Sequence, residues 1–157
     1  MENISNRALI SRLYNSANEQ LADTAFDDKS WSEWYQVVQG LTVPEKMVYV
    51  IVKLNMAVTN GGFAEFFETS YGIFAPEIIY VLTEIKANAS AEIVSNALLI
   101  LNPTGLLDEA YKEFIFNIRI SDQQKTQLYL LDIRYDHLQD HENLENLLGD
   151  YVQELIK

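Results

Sequence analysis

Apolar residues recur at helical spacing along most of this chain. Ile78, Ile79, Leu82 and Ile85 follow Pro76 as a one-sided stripe, and Leu128, Leu131, Tyr135 and Leu138 repeat at intervals of three, four and three. Leu144, Leu147, Leu148, Tyr151 and Leu155 continue the pattern to the C-terminus. Positions three or four apart share one face of a helix, so each run predicts an amphipathic helix with a buried side. Start signals precede several of them. Ser30-Trp-Ser-Glu33 and Ser121-Asp-Gln-Gln124 fit the capping box, in which the cap hydroxyl and the fourth side chain each satisfy the other's backbone N–H. Thr42 stands as an N-cap before Pro44, and the other prolines, Pro76 and Pro103, also lie where a helix begins or a loop runs. Trp31, Trp34 and Tyr35 mark a further packed face.

Two stretches resist this reading. Val48 to Leu54 is rich in β-branched residues, and Phe114, Phe116, Ile118 and Ile120 alternate as a strand does. The first continues to Val58 and stops at Gly61, which favours helix; the second stays open between helix and strand. The expected architecture is all-α: a single domain over residues 1–157, with seven or eight helices around the apolar segment 47–58. Residues 1–40 are expected to form N-terminal helices packed on the rest.

Composition narrows the function classes. A chain of 157 residues is long enough for one core, since folding at this length buries about 68–70% of the unfolded surface. The absence of cysteine excludes disulfides, thiolate metal sites and a thiol nucleophile. Polar residues interrupt the first twenty positions, so no signal-peptide core is visible. The most apolar stretch, Met47 to Val58, is short for a membrane span and contains Lys53 and Asn55. The expectation is a cytoplasmic protein with no membrane partner. Twenty-three acids stand against eleven bases, a net charge of −12. Such a field repels nucleic acid and favours basic partners.

Asn60-Gly61-Gly62-Phe63 is the most distinctive local motif. Two glycines and an asparagine permit a sharp change of direction, and Phe63, Phe66 and Phe67 then start a new aromatic helical face. With Leu54 and Val58 before it, this corner resembles the signature of the DNA mimic protein 19-like domain, a large bacterial family mostly of unknown function. Leu131-Asp132, Arg134-Tyr135, Leu144, Leu147 and Tyr151 resemble the family's C-terminal helices, so the likeness covers about Leu41 to Lys157. It implies an all-helical fold. The family takes its name from a member that imitates the charge surface of duplex DNA and occupies a DNA-binding protein. Ala57 departs from the family's frequent Glu, and Glu65 from its frequent Gln.

Mimicry is a property of surface charge and must be sought in this chain's own acids. From Tyr135 to Ile156 there are Asp136, Asp140, Glu142, Glu145, Asp150 and Glu154, with no Lys or Arg between them. On a helical wheel Glu142, Glu145, Asp150 and Glu154 fall opposite the Leu/Tyr stripe, an acidic ridge suited to a basic groove. Asp136 and Asp140, four apart, repel one another by about 0.2–0.5 kcal/mol if both are helical. Asp23, Asp27 and Asp28 form a second acidic group.

Catalytic equipment is sparse. His137 and His141 are four apart, but a metal site needs a third ligand and no recognised metal spacing occurs. Neither a phosphate-binding glycine loop nor a nucleophile elbow is present, and the dispersed basic residues argue against direct nucleic-acid binding. The reading is of a binding module rather than an enzyme, without catalytic residues, cofactor or metal. Its expected partner is a basic protein of the DNA-binding kind, with a second copy of the chain as another partner class. The alternative is a small-ligand binder or enzyme with a pocket beside the Asn60-Gly-Gly-Phe corner, using Asn60, Glu65 and nearby tyrosines.

Overall fold

The computed structural model describes residues 3–22 and 31–157. The capping box at Ser30 and the acidic group Asp23, Asp27 and Asp28 lie outside the described residues, as does the side chain of Trp31. Among the described residues the chain is all-α, with eight α-helices, one 3₁₀ turn and no strand. It divides into two compact units: Met1–Val52 with Leu144–Lys157, and Lys53–Asn143.

The first unit holds α1 (Asn6–Leu21), α2 (Trp31–Gln39), the start of α3 (Val43–Glu68) and α8 (Leu144–Leu155). The Ser5 hydroxyl accepts from Ala8 N–H and opens α1. Helices α1 and α8 pack together because Gly149 leaves room: a Cβ there would lie 2.3 Å from the Asn6 side chain. Asn6 Nδ2 donates to Asp150 at 2.8 Å, and Gln153 Nε2 to the Ile4 carbonyl at 2.8 Å. Leu144, Leu148 and Val152 are buried, while Leu155 is 44% exposed. The buried stripe of α8 is thus rotated towards Gly149 and Val152, away from the expected Leu147, Tyr151 and Leu155.

Thr42 begins α3 as a full capping box. Glu45 N–H donates to Thr42 Oγ1 at 3.3 Å, and Thr42 N–H donates to Glu45 Oε1 at 3.0 Å. The same carboxylate accepts from Ser16 Oγ and from Gln20 Nε2 on α1. Glu45 is therefore a buried acid with its oxygens satisfied, which is the condition for keeping a charge out of water. Val48, Val50 and Ile51 are almost wholly buried despite their β-branching; tertiary burial outweighs the small helical propensity penalty.

The second unit contains the rest of α3, the 3₁₀ turn Tyr71–Phe74, α4 (Ala75–Glu84), α5 (Asn88–Leu101), α6 (Asp108–Phe116) and α7 (Asp122–Leu138). Helix α4 packs on α5, and α5 on α7. Pro76 sits in the first turn of α4, whose Ile78 and Leu82 are buried, as is Ile85 at its end. The box at Ser121 forms as read: Gln124 N–H donates to Ser121 Oγ at 3.1 Å, and Ser121 N–H to Gln124 Oε1 at 2.9 Å. The strand-like run resolves into the end of α6 followed by irregular backbone from Asn117. Tyr111 and Ile115, four apart, carry the burial there. Tyr111 donates its hydroxyl to the Gly72 carbonyl at 2.6 Å and ties α6 to the 3₁₀ turn.

By length and composition α3 is apolar enough to cross a membrane, longer than the 47–58 stretch suggested. More than half of its most apolar window is buried inside the fold, which is the behaviour of a core helix.

Candidate functional site

The glycine motif is a kink within α3. Gly62 adopts φ +79°, and the residues on either side are helical. The two glycines serve different ends. At Gly62 the left-handed φ and the proximity of Asp132 both exclude a side chain, since a Cβ would lie 2.2 Å from Asp132 Oδ2. At Gly61 a Cβ would lie 2.8 Å from Glu65 Cβ, so the missing side chain lets Glu65 fold back. Asn60 Nδ2 then donates to both Glu65 oxygens, at 3.0 and 3.1 Å.

Breaking a helix strands backbone donors, and α7 supplies the acceptor. Asp132 Oδ1 accepts from Phe63 N–H at 2.8 Å and caps the segment beyond the kink. Burial pushes the Asp132 carboxyl above its ordinary range, against the pull of that N–H. One turn on, the Tyr135 ring meets Phe63 edge-on at 5.6 Å, and its hydroxyl donates to Asn55 Oδ1. Burial first, and the Glu142 charge second, push the Tyr135 hydroxyl up, so it remains a neutral donor. Phe63, Phe66 and Phe67 are fully buried beneath this clamp. The corner residues Asn60, Gly61, Gly62, Phe63, Phe66 and Phe67 thus form a structural elbow held by Asp132 and Tyr135.

Grooves flank the elbow. One, of about 670 Å³, has Met56 and Ala57 as apolar wall and Lys53, Thr59, Asn60 and Glu65 among its polar groups. The Lys53 ammonium lies 5.2 Å from the centre of the Tyr71 ring in this groove. A second, of about 370 Å³, runs along α7 and takes in Asp132, Ile133, Asp136 and Gln139 opposite Asn55 and Thr59. A third, of about 330 Å³, follows the other flank of α7, with Arg134, His137 and His141 facing Ala89, Glu92 and Ile93 of α5. Ile133 borders both, so α7 sorts its polar side chains: carboxylates on the flank towards α3, Arg134 and the imidazoles on the flank towards α5.

The six acids of the expected ridge are differently placed. Asp136 and Asp140 are exposed and have no side-chain partner among the described residues. Helix α7 ends at Leu138, so Asp140 lies in the following turn and the expected helical repulsion does not arise in that form. Glu142 also falls outside the last helix, which starts at Leu144. Its carboxylate accepts from Ala89 N–H at 3.2 Å and Ser90 N–H at 2.7 Å, capping α5, whose own N-cap side chain makes no such bond. Long-range geometry, invisible on a wheel drawn through one helix, decides this. Glu145 pairs with Arg7 at 3.3 Å, Asp150 accepts from Asn6, and Glu154 pairs with Lys157 at 2.8 Å. All three remain exposed. Asp136, Asp140 and Glu142 belong to the second unit, and Glu145, Asp150 and Glu154 to the first.

His137 and His141 do line one groove, yet among the described residues no set of three His, Cys, Asp or Glu is arranged to hold a metal ion. The sequence pattern marks neither Asn55 nor Arg134 for the site; it shows Asp132 only in the family-like tail, and Tyr135 there and in the apolar stripe of α7. Their partners lie 69 and 80 residues away, a pairing without a local signal.

Residues 39–155 match the family described as DMP19-like protein. No curated protein and no solved structure matches the chain.

Proposed function

Because the chain belongs to the DMP19-like protein family, we propose that it is an acidic binding module that occupies the basic surface of a cytoplasmic DNA-binding regulator or nuclease in place of DNA. The observation that carries this reading is the pair Asp136 and Asp140, exposed and unpartnered among the described residues of a chain with net charge −12. Unneutralised carboxylates at a surface attract a cationic partner and raise its rate of encounter. Glu145, Asp150 and Glu154 support it from the first unit. The exposed ion pairs Arg7–Glu145 and Lys157–Glu154 are worth only about 0.2–1 kcal/mol each, so a partner's arginines can replace them. Glu142 contributes its field while its oxygens hold α5.

The test is capture from host lysate at low salt. A basic DNA-binding protein is expected, released by rising salt and by competing duplex DNA. The variant carrying Asp136→Asn, Asp140→Asn, Asp150→Asn and Glu154→Gln is expected to lose it. Undiminished capture by that variant, or release by salt but not by DNA, overturns the reading.

The groove of about 670 Å³ beside the elbow favours a second reading, a small-ligand site, because its volume and mixed lining suit one organic molecule. Native mass spectrometry of the protein from its host decides between a retained small molecule, which supports this reading, and a bare chain, which ends it.

A further inference from the structure

Arg134, like Arg12 and Arg119, has no hydrogen bond, ion pair or ring contact among the described residues, although acids outnumber bases 23 to 11; what sets it apart is its place in a groove. It lines the groove of about 330 Å³ between α5 and α7 together with His137 and His141, which likewise lack side-chain partners. At positions i, i+3 and i+7 the three side chains follow one flank of α7 and the turn beyond it. Ala89, Ile93, Ile133 and Leu138 supply apolar wall, and Ile93 is almost fully buried.

Of the acids around the groove, only Glu92 enters its lining. Glu142 directs both oxygens to the N-terminal amides of α5. Asp136 lines the opposite groove of α7. Asp140 is exposed beyond the helix end, and Glu92 is the one carboxylate in the lining itself. More distant acids act only weakly, because charges beyond about 8 Å are largely screened at physiological ionic strength.

We infer that the groove between α5 and α7 is a binding site for a small anion with an apolar body, its carboxylate or phosphate held by Arg134 and the two imidazoles. A guanidinium presents a planar fork of donors that matches either oxyanion, and an imidazole with a free N–H adds a third direction. The apolar wall then takes the tail, and the volume is that of a single small ligand. A purely inorganic anion leaves that wall unused.

Sodium octanoate and octyl phosphate are the probes, with octylammonium chloride as control. Binding is followed by the imidazole nitrogen resonances of His137 and His141 and the methyl resonances of Ile93 and Ile133. Saturable shifts with either anion, at least tenfold weaker with octylammonium, are expected, and the tighter of the two anions identifies the headgroup. Arg134→Gln, which removes an exposed and unpartnered group, is expected to melt with the parent chain yet bind at least fivefold more weakly. Equal response to the cation, no saturable shift, or undiminished binding by Arg134→Gln overturns the assignment.

Discussion

Asp132 and Gly62 are a matched pair, each placed by the other. The carboxylate takes the space a side chain at residue 62 would need and returns an acceptor to the Phe63 amide. Gly62→Ala imposes both a left-handed φ and a clash, and the expected loss is about 1–3 kcal/mol in urea denaturation. Asp132 separates shape from charge. Asp132→Ala removes the cap and is expected to cost about 1–2 kcal/mol. Asp132→Asn keeps an acceptor oxygen while relieving the burial of charge, and is expected to stay within about 1 kcal/mol of the parent at pH 7. The pH dependence has a definite sign. Its folded-state carboxyl lies above the ordinary 3.8, so the folded chain binds this proton more readily than the unfolded one. That contribution is complete below pH 3.8 and is lost as pH rises through the folded value. Asp132→Asn abolishes it; a parent-like pH profile in that variant contradicts the assignment.

At the scale of elements, Glu45 has the opposite sign. The Ser16 hydroxyl, aided by Thr42 and Gln20 and opposed by burial, holds its carboxyl below the ordinary 4.5. Its stabilisation is present above pH 4.5 and disappears as pH falls through the folded value. Glu45→Gln is expected to lose about 1.5–3 kcal/mol at pH 7, as for hydrogen bonds to a charged group. The gap between parent and variant is expected to close in acid; a constant gap means that the carboxylate's charge is not what holds α1 to the start of α3. Local elements of this kind were largely legible in the sequence: the Ser121 box, the Pro76 start, the Leu128, Leu131 and Tyr135 stripe and the glycine corner all carry short-range signals. What failed was long-range or mixed. Glu142 looked like the first turn of α8 because a wheel cannot register that α5 lacks a cap of its own. The alternation from Phe114 to Ile120 left helix and strand open because it runs across the end of α6, where Tyr111 and Ile115 set the buried face. Sorting of charge along α7 was likewise hidden, since Arg134 and Asp136 are near neighbours in sequence and flank Ile133 on opposite sides.

For the whole molecule, salt distinguishes the cost of the acidic field from its use. Twelve uncompensated negative charges repel one another in the folded chain more than in the expanded one. Ion pairs among the described residues that oppose this, such as Arg7–Glu145, Lys112–Glu109, Lys125–Glu68 and Lys157–Glu154, have partly or wholly exposed partners, and each is worth about 0.2–1 kcal/mol. Screening shortens to about 10 Å at 0.1 M salt, which weakens repulsion across the surface more than contacts of a few ångströms. Thermal melting is therefore expected to rise between 10 mM and 300 mM sodium chloride, while association with a basic partner falls over the same range. Opposite slopes in one titration mean that the charge carried at a cost to the fold is the charge the partner reads. If melting temperature falls with salt, the carboxylates are locally compensated after all, and their surface holds little attraction in reserve for a partner.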